Sequence, residues 1–329
     1  MRQVVLSGIV VLGGALPSAA STADPTGAFT SAWVVGDSLS DDGNLFAATS
    51  ANPFAEPTPA SPPYFEGRFS NGPVWAEALT GAFEDRGKTA ENAAFGGART
   101  EGGDVPDLGE QLDLVALGAP RFGDRPVATL WLGANDLFDA IPVSAEAAEA
   151  TALAAAARIG AGIDRLETLG FRDVILFNLP DLGGTPLYSS AGSPLAPLGG
   201  RATIATGVFN AALDAVIDAE DGVSVSLVDI ASLFEELRDD PALFGVTDRF
   251  DVSCLDPFTA VPCTPAKADD LAFFDPVHPS AEIHAAIARE ALATLAAAAP
   301  QPVPLPAGLP LALAAFAALG ALRVASRRR

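Results

Sequence analysis

Four short, almost wholly apolar runs do most to constrain what this 329-residue chain can fold into. Residues 32–35 (AWVV) lead into Gly36 and residues 127–132 (VATLWL) into Gly133. Residues 174–179 (VILFNL) lead into Pro180, and residues 223–230 (VSVSLVDI) form the fourth run. A strand apolar on both faces must be covered on both faces, which is the situation of a parallel sheet with helices above and below it. The stretches between the runs supply those helices: residues 145–169 and 203–219 are amphipathic or Ala-rich, and 280–298 closes the pattern. The expectation is an α/β fold, a three-layer α/β/α sandwich with a mainly parallel central sheet. No long linker and no repeat interrupts residues 24–300, so these form one domain. Ligands of such sheets sit at the carboxyl ends of the strands. Three of those ends carry GDS, GAND and NLPD. Residues 50–69, rich in Pro and aromatics, form a long loop of the kind that often carries function. Its Phe54, Tyr64, Phe65 and Phe69 either line an apolar pocket or pack the loop itself.

Composition excludes several classes of partner. The net charge is −22, which argues against nucleic acid and against an anionic membrane surface. Both ends of the chain are basic, and residues 24–300 hold all 41 acidic residues against 14 basic ones, a net −27. Residues 1–23 have a positive start at Arg2, an apolar stretch and a run of small residues, the grammar of a secretory signal peptide. Residues 307–322 are an uncharged apolar run of 16, near the short limit for a membrane span, followed by Arg323, Arg327, Arg328 and Arg329. Cys254 and Cys263 are nine positions apart, and in an oxidising compartment they are expected to form a disulfide.

Only two histidines are present, so histidine chemistry falls to His278 or His284. Ser38 follows the first strand in GDSLS, where a hydroxyl at a strand-to-helix turn is exposed and lies near the positive end of a helix. It is read either as a nucleophile or as a plain N-cap. Asp275 precedes His278 by three in DPVHPS, close enough to reach its Nδ1, fix its tautomer and stabilise the imidazolium. His284 has alanine at the matching place. An oxyanion needs donors: the Ser38 backbone N–H, the Gly97 N–H in NAAFGGART, and the Asn135 side-chain amide in GAND can supply three. Gly-Gly and Asn-Asp are also ordinary loop and cap pairs.

Taken together and in this order, GDSLSDDGN, NAAFGGA, GAND and DPVHPS resemble the blocks of the GDSL lipase/esterase family, the SGNH hydrolases. GRFSNGPVWAEAL, residues 67–79, is similar to the extracellular bacterial and plant-type branch. Gly96 against Gly97 is the one ambiguity of register. The resemblance implies a three-layer fold and an ester hydrolase needing no metal or organic cofactor. It implies Ser38, Asp275 and His278 as catalytic residues, with Ser38, Gly97 and Asn135 as the oxyanion hole. Activity is then expected to fall below about pH 6 as His278 takes a proton. The spacing of Asp275 and His278 differs from that of a classical α/β-hydrolase with its G-x-S-x-G elbow. A carbohydrate O-deacetylase, or a catalytically silent envelope or matrix protein of the same fold, are the alternatives. Residues 303–329 resemble the VPLPA variety of bacterial PEP-CTERM sorting signals. That implies a Gram-negative exported or envelope protein, an exosortase-type sorting enzyme as partner, and inner-membrane contact through residues 307–322. The substrate is expected to be a small-molecule or lipid ester.

Overall fold

Five parallel strands run through the centre of the molecule in the order β2-β1-β3-β4-β5. They are β1 (Ser31–Gly36), β2 (Thr89–Asn92), β3 (Pro126–Trp131), β4 (Asp173–Phe177) and β5 (Ser224–Val228). This computed structural model describes residues 24–247, 249–258 and 263–299. The signal-peptide reading of residues 1–23 and the sorting-signal reading of 301–329 lie outside the described residues.

The apolar runs are the inner strands. Every residue of β1, β3 and β4 is buried. The two edges are different. The β2 sequence TAEN is half-buried along its length and contains no apolar run, so patterning misses it. At the other edge the fourth apolar run stops earlier than the sequence predicts. Asp229 turns the chain by accepting a hydrogen bond from the Ser232 N–H, and Ile230 opens the helix Ile230–Asp239. A side-chain carboxylate that satisfies an otherwise free helical N–H outweighs the β-preference of the flanking residues.

Helices cover both faces. Trp75–Glu84 and Ala281–Ala298 pack together on one side, against β1, β2, β4 and β5. Leu108–Leu117, Ala145–Leu169 and Gly199–Ala219 pack on the other. The helix Ala145–Leu169 starts where sequence places it: the Ser144 hydroxyl accepts the Ala147 N–H, and Gly170 ends it in the left-handed conformation. The helix Gly199–Ala219 begins four residues before its predicted start. Between sheet and helix, Trp75 lies 4.4 Å from Phe177 and Phe177 stacks on Trp131 at 4.9 Å.

This topology creates the site. Strand order reverses between β1 and β3, so the connections leaving their carboxyl ends diverge to opposite faces and leave a crevice. Gly36 and Trp131 pair across the two strands, so both ends stop at the same level. The turn after β1 carries Ser38, and the turn after β3 carries Asn135.

Candidate active site

The turn after β1 is held from below and from behind. The buried Gln111 side chain accepts the Gly36 N–H and donates to the Gly36 carbonyl, both at 2.9 Å. Gly36 permits the turn because a Cβ there would fall 2.6 Å from Ser40 Oγ, whose hydroxyl is fixed by the Trp75 indole at 3.2 Å. Asp37 is buried and accepts the Leu39 N–H. Burial pushes its carboxyl up to about 7, against the hydrogen bond and the His278 charge that favour ionisation.

The second turn is DPVH, and its aspartate has two separate tasks. Asp275 Oδ1 accepts the Val277 and His278 N–H groups at 2.9 and 2.8 Å, which fixes the turn. Asp275 Oδ2 lies 2.6 Å from His278 Nδ1. With that nitrogen donating to the carboxylate, His278 Nε2 is an acceptor, and Ser38 Oγ lies 2.7 Å from it. Ser38, His278 and Asp275 thus form one hydrogen-bonded line across 240 positions of sequence. The N-cap reading of Ser38 does not describe the fold, because the N-cap of the next helix, Asn44–Ala51, is Gly43.

Electrostatics along the line are opposed by burial and set by the partners. Burial disfavours the Asp275 anion, but the His278 charge and the donated hydrogen bonds outweigh it and hold the carboxyl below the ordinary aspartate value. Burial likewise disfavours the imidazolium. The Asp275 charge and hydrogen bond, with Asp37 behind them, outweigh that and raise His278 above the ordinary imidazole value. His284 is the contrast. It is fully buried, accepts the Trp75 N–H at Nδ1, and is pushed down to about 3 by burial and by the His278 charge.

The oxyanion candidates converge on the same space. A cavity of about 180 Å³ is lined by Ser38, Gly97, Asn135 and His278 together with Leu39, Phe69, Trp131, Phe138, Phe234 and Phe273. The register question between the two glycines resolves by hydrogen bonding. The Gly96 N–H is taken by Asp41 Oδ2 at 2.7 Å, whereas Gly97, at φ +80°, lines the cavity. The Asn135 amide donates one hydrogen to the Ala98 carbonyl at 2.9 Å and keeps a second for the cavity. Asp136 accepts both the N–H and the hydroxyl of Thr100, tying the glycine loop to the end of β3. Asp41 ties the other end of that loop to the turn after β1, since it also accepts the Gly43, Asn44 and Leu45 N–H groups. Sequence patterning did not single out Gln111, Asp41 or Asp136 for this work. The Asn-Asp pair of GAND was visible as a cap pair, but Asp136 lies inside the helix Ala134–Ala140, and its partner Thr100 was not visible.

The aromatic loop divides. Phe69 lines the cavity and lies 5.0 Å from the His278 ring. Phe54 is 97% exposed and lines nothing there. Tyr64 sits outside that cavity, hydrogen-bonded to Asp275. Cys254 and Cys263 are joined by a disulfide and wall a second groove on the far side of Asp275. Among the described residues, no group of three or more His, Cys, Asp or Glu side chains is placed to hold a metal ion.

The model of the GDSL-like lipase/acylhydrolase family matches residues 33–291. The chain belongs to the GDSL-like lipase/acylhydrolase family. Among curated proteins it is 32% identical over 248 residues to phosphatidylcholine-sterol acyltransferase of Aeromonas hydrophila, covering 73% of this chain and 70% of that one. It is 28% identical over 281 residues to the thermolabile hemolysin of Vibrio parahaemolyticus, covering 78% of this chain and 62% of the hemolysin. Among solved structures it is similar to an extracellular lipase from Streptomyces rimosus, with 18% identity, a TM-score of 0.41, and coverage of 82% of this chain and 99% of that one. At the general level the GDSL family makes this chain an ester hydrolase or acyl-transferring enzyme.

Proposed function

We propose that this GDSL protein is an exported serine esterase or lipase that hydrolyses carboxylic esters through Ser38, His278 and Asp275. The observation that carries the reading is the 2.7 Å approach of Ser38 Oγ to His278 Nε2 beside an apolar cavity. Ser38 Oγ attacks the ester carbonyl while His278 Nε2 takes its proton. The negative charge that develops on the carbonyl oxygen is met by the N–H groups of Ser38 and Gly97 and by the Asn135 amide. Asp275 holds the imidazole in the tautomer that leaves Nε2 open and stabilises the imidazolium. His278 then gives the proton to the leaving alcohol, and the acyl group stays on Ser38. Water, activated by the same imidazole, releases the acid and restores the serine.

The cavity walls favour a hydrocarbon acyl group over a bare acetyl group, which weighs against the carbohydrate deacetylase reading. An apolar cavity of about 150 Å³ takes a benzene-sized group. The space beside Ser38, about 180 Å³, suits an acyl tail of about six to eight carbons on that scale. The substrate is a small-molecule or lipid ester. Export is supported by the sequence of residues 1–23 and by a disulfide suited to an oxidising compartment. Recognition by an exosortase-type enzyme and contact of residues 307–322 with the inner membrane rest on the sequence of the tail.

An ester panel of increasing acyl length tests the reading, run beside labelling with a serine-directed phosphonate. Hydrolysis that peaks at medium chain length, with the label on Ser38, is the expected result. No hydrolysis and no label, where a known esterase gives both, would return the catalytically silent reading.

A further inference from the structure

Asp275 Oδ2 accepts two donors. His278 Nδ1 is one, at 2.6 Å, and the Tyr64 phenol hydroxyl is the other, also at 2.6 Å. Tyr64 comes from the aromatic loop, 211 positions away, and its ring is seated edge-on against Phe274 at 5.3 Å. The two residues that follow this loop grip the histidine turn at two further points. The Ser70 hydroxyl donates to the Pro279 carbonyl, and the Asn71 side chain accepts the Ala281 N–H at the start of the last helix. Tyr64 is therefore held where it is by its surroundings, and its hydroxyl does not simply fill space.

We propose that Tyr64 is a positioning residue for the hydrolysis: its hydroxyl shares Asp275 Oδ2 with the imidazole and fixes the carboxylate in the orientation that holds His278 against Ser38. This rests on the serine-hydrolase reading of the site. The consequence is electrostatic as well as geometric. A carboxylate oxygen that already accepts a phenol proton presents less negative charge to the imidazole. His278 is faced by Asp275 on its own turn, by Asp37 on the turn after β1, by His284 on the last helix, and through Asp275 by Tyr64 on the aromatic loop. Asp136 stands behind Asp37. Of these, Tyr64 is the one that withdraws charge from the oxygen His278 uses. Tyr64 itself stays protonated, because burial and the Asp275 charge both raise its hydroxyl well beyond the usual phenol range.

The test is Tyr64→Phe, which keeps the ring contacts and removes only the hydroxyl. The pH profile of kcat/KM on a medium-chain nitrophenyl ester is the decisive readout. The acid limb is expected to move to higher pH by half a unit or more, because the freed carboxylate charge favours the imidazolium. The low-field proton resonance of His278 Nδ1–H is expected to shift in parallel. A residue that merely anchored the loop would change KM or melting temperature and leave both readouts in place, and that result would overturn the proposal. Tyr64→Ala serves as the loop-loosening control. Full activity in Ser38→Ala would instead remove the underlying reading, so the two failures are told apart.

Discussion

His278 Nε2 stands 2.7 Å from Ser38 Oγ, although one residue follows the first strand and the other precedes the last helix. In the mechanism we propose, removing either partner removes the nucleophile or its base. Ser38→Ala is expected to lower ester turnover by roughly 10⁴-fold or more, with unchanged melting temperature, since the side chain is small and at the cavity surface. Initial rates on a nitrophenyl ester and a thermal melt check this together. A variant that kept the wild-type rate would remove Ser38 from the mechanism.

The pH dependence follows from the raised His278. As the proposed base, His278 works only when neutral, and its proton is held more tightly than in a free imidazole. Activity is therefore expected to be full above the raised value and to fall about tenfold per unit below it. The midpoint is expected above that of a free imidazole, because burial is outweighed by the Asp275 charge and hydrogen bond, which favour the imidazolium. A profile of kcat/KM between pH 5 and 9 reads it directly.

The oxyanion donors separate by experiment. Asn135→Ala is expected to cost about 10²–10³ in kcat with little change in KM, because the amide matters when charge develops on the carbonyl oxygen. Gly97→Ala meets open space, so its cost is conformational: φ +80° is strained for alanine by about 1–2 kcal/mol. Steady-state kinetics and denaturant unfolding of the two variants distinguish a lost donor from a strained turn.

His284 makes stability sensitive to acid. Its folded value is pushed down to about 3, while the unfolded imidazole takes a proton near 6.5. Between these values the unfolded state binds the extra proton, so stability falls as pH falls. Roughly 1.6 kcal/mol should be lost between pH 6.5 and 5 from this residue. His284→Asn keeps an acceptor for the Trp75 N–H and should flatten that slope in urea titrations at the two pH values. An unchanged slope would assign it to carboxylates elsewhere.

The disulfide braces the turn that carries Asp275. The Cys254 and Leu255 N–H groups donate to the Phe273 and Phe274 carbonyls, directly before that aspartate. Reduction, or a Cys254→Ser/Cys263→Ser double variant, is expected to cost about 2–3 kcal/mol for a loop of this length. It should also lower kcat. Equal melting temperatures with and without reductant would show that the bridge carries no such strut.

Much of this is legible in the amino-acid sequence. The inner strands read as continuous apolar runs because a strand covered on both faces has no polar face to show. The Asp275–His278 pair read as a pair because three residues is within the reach of one turn. The edge strand β2 was not legible, since its half-exposed TAEN has no period to detect. Nor was the end of β5, where the Asp229 cap overrides an apolar run. In the aromatic loop, composition could not assign tasks: Phe69 faces the cavity, Phe54 faces solvent, and Tyr64 faces Asp275.

Local chemistry was thus set by the chain itself. The order of motifs, the pairing of Asp275 with His278, and the polar groups near each strand end follow from neighbours a few residues apart. What only the tertiary structure decided is which of these groups meet. The reversal of strand order between β1 and β3 brings Ser38 and Asn135 to one crevice, and the docking of the last helix brings His278 onto Ser38. The Tyr64 hydrogen bond to Asp275 depends on the same folding. Contacts across more than two hundred residues leave no periodic trace in sequence, because they are paid for by the burial of the whole core and not by any local preference.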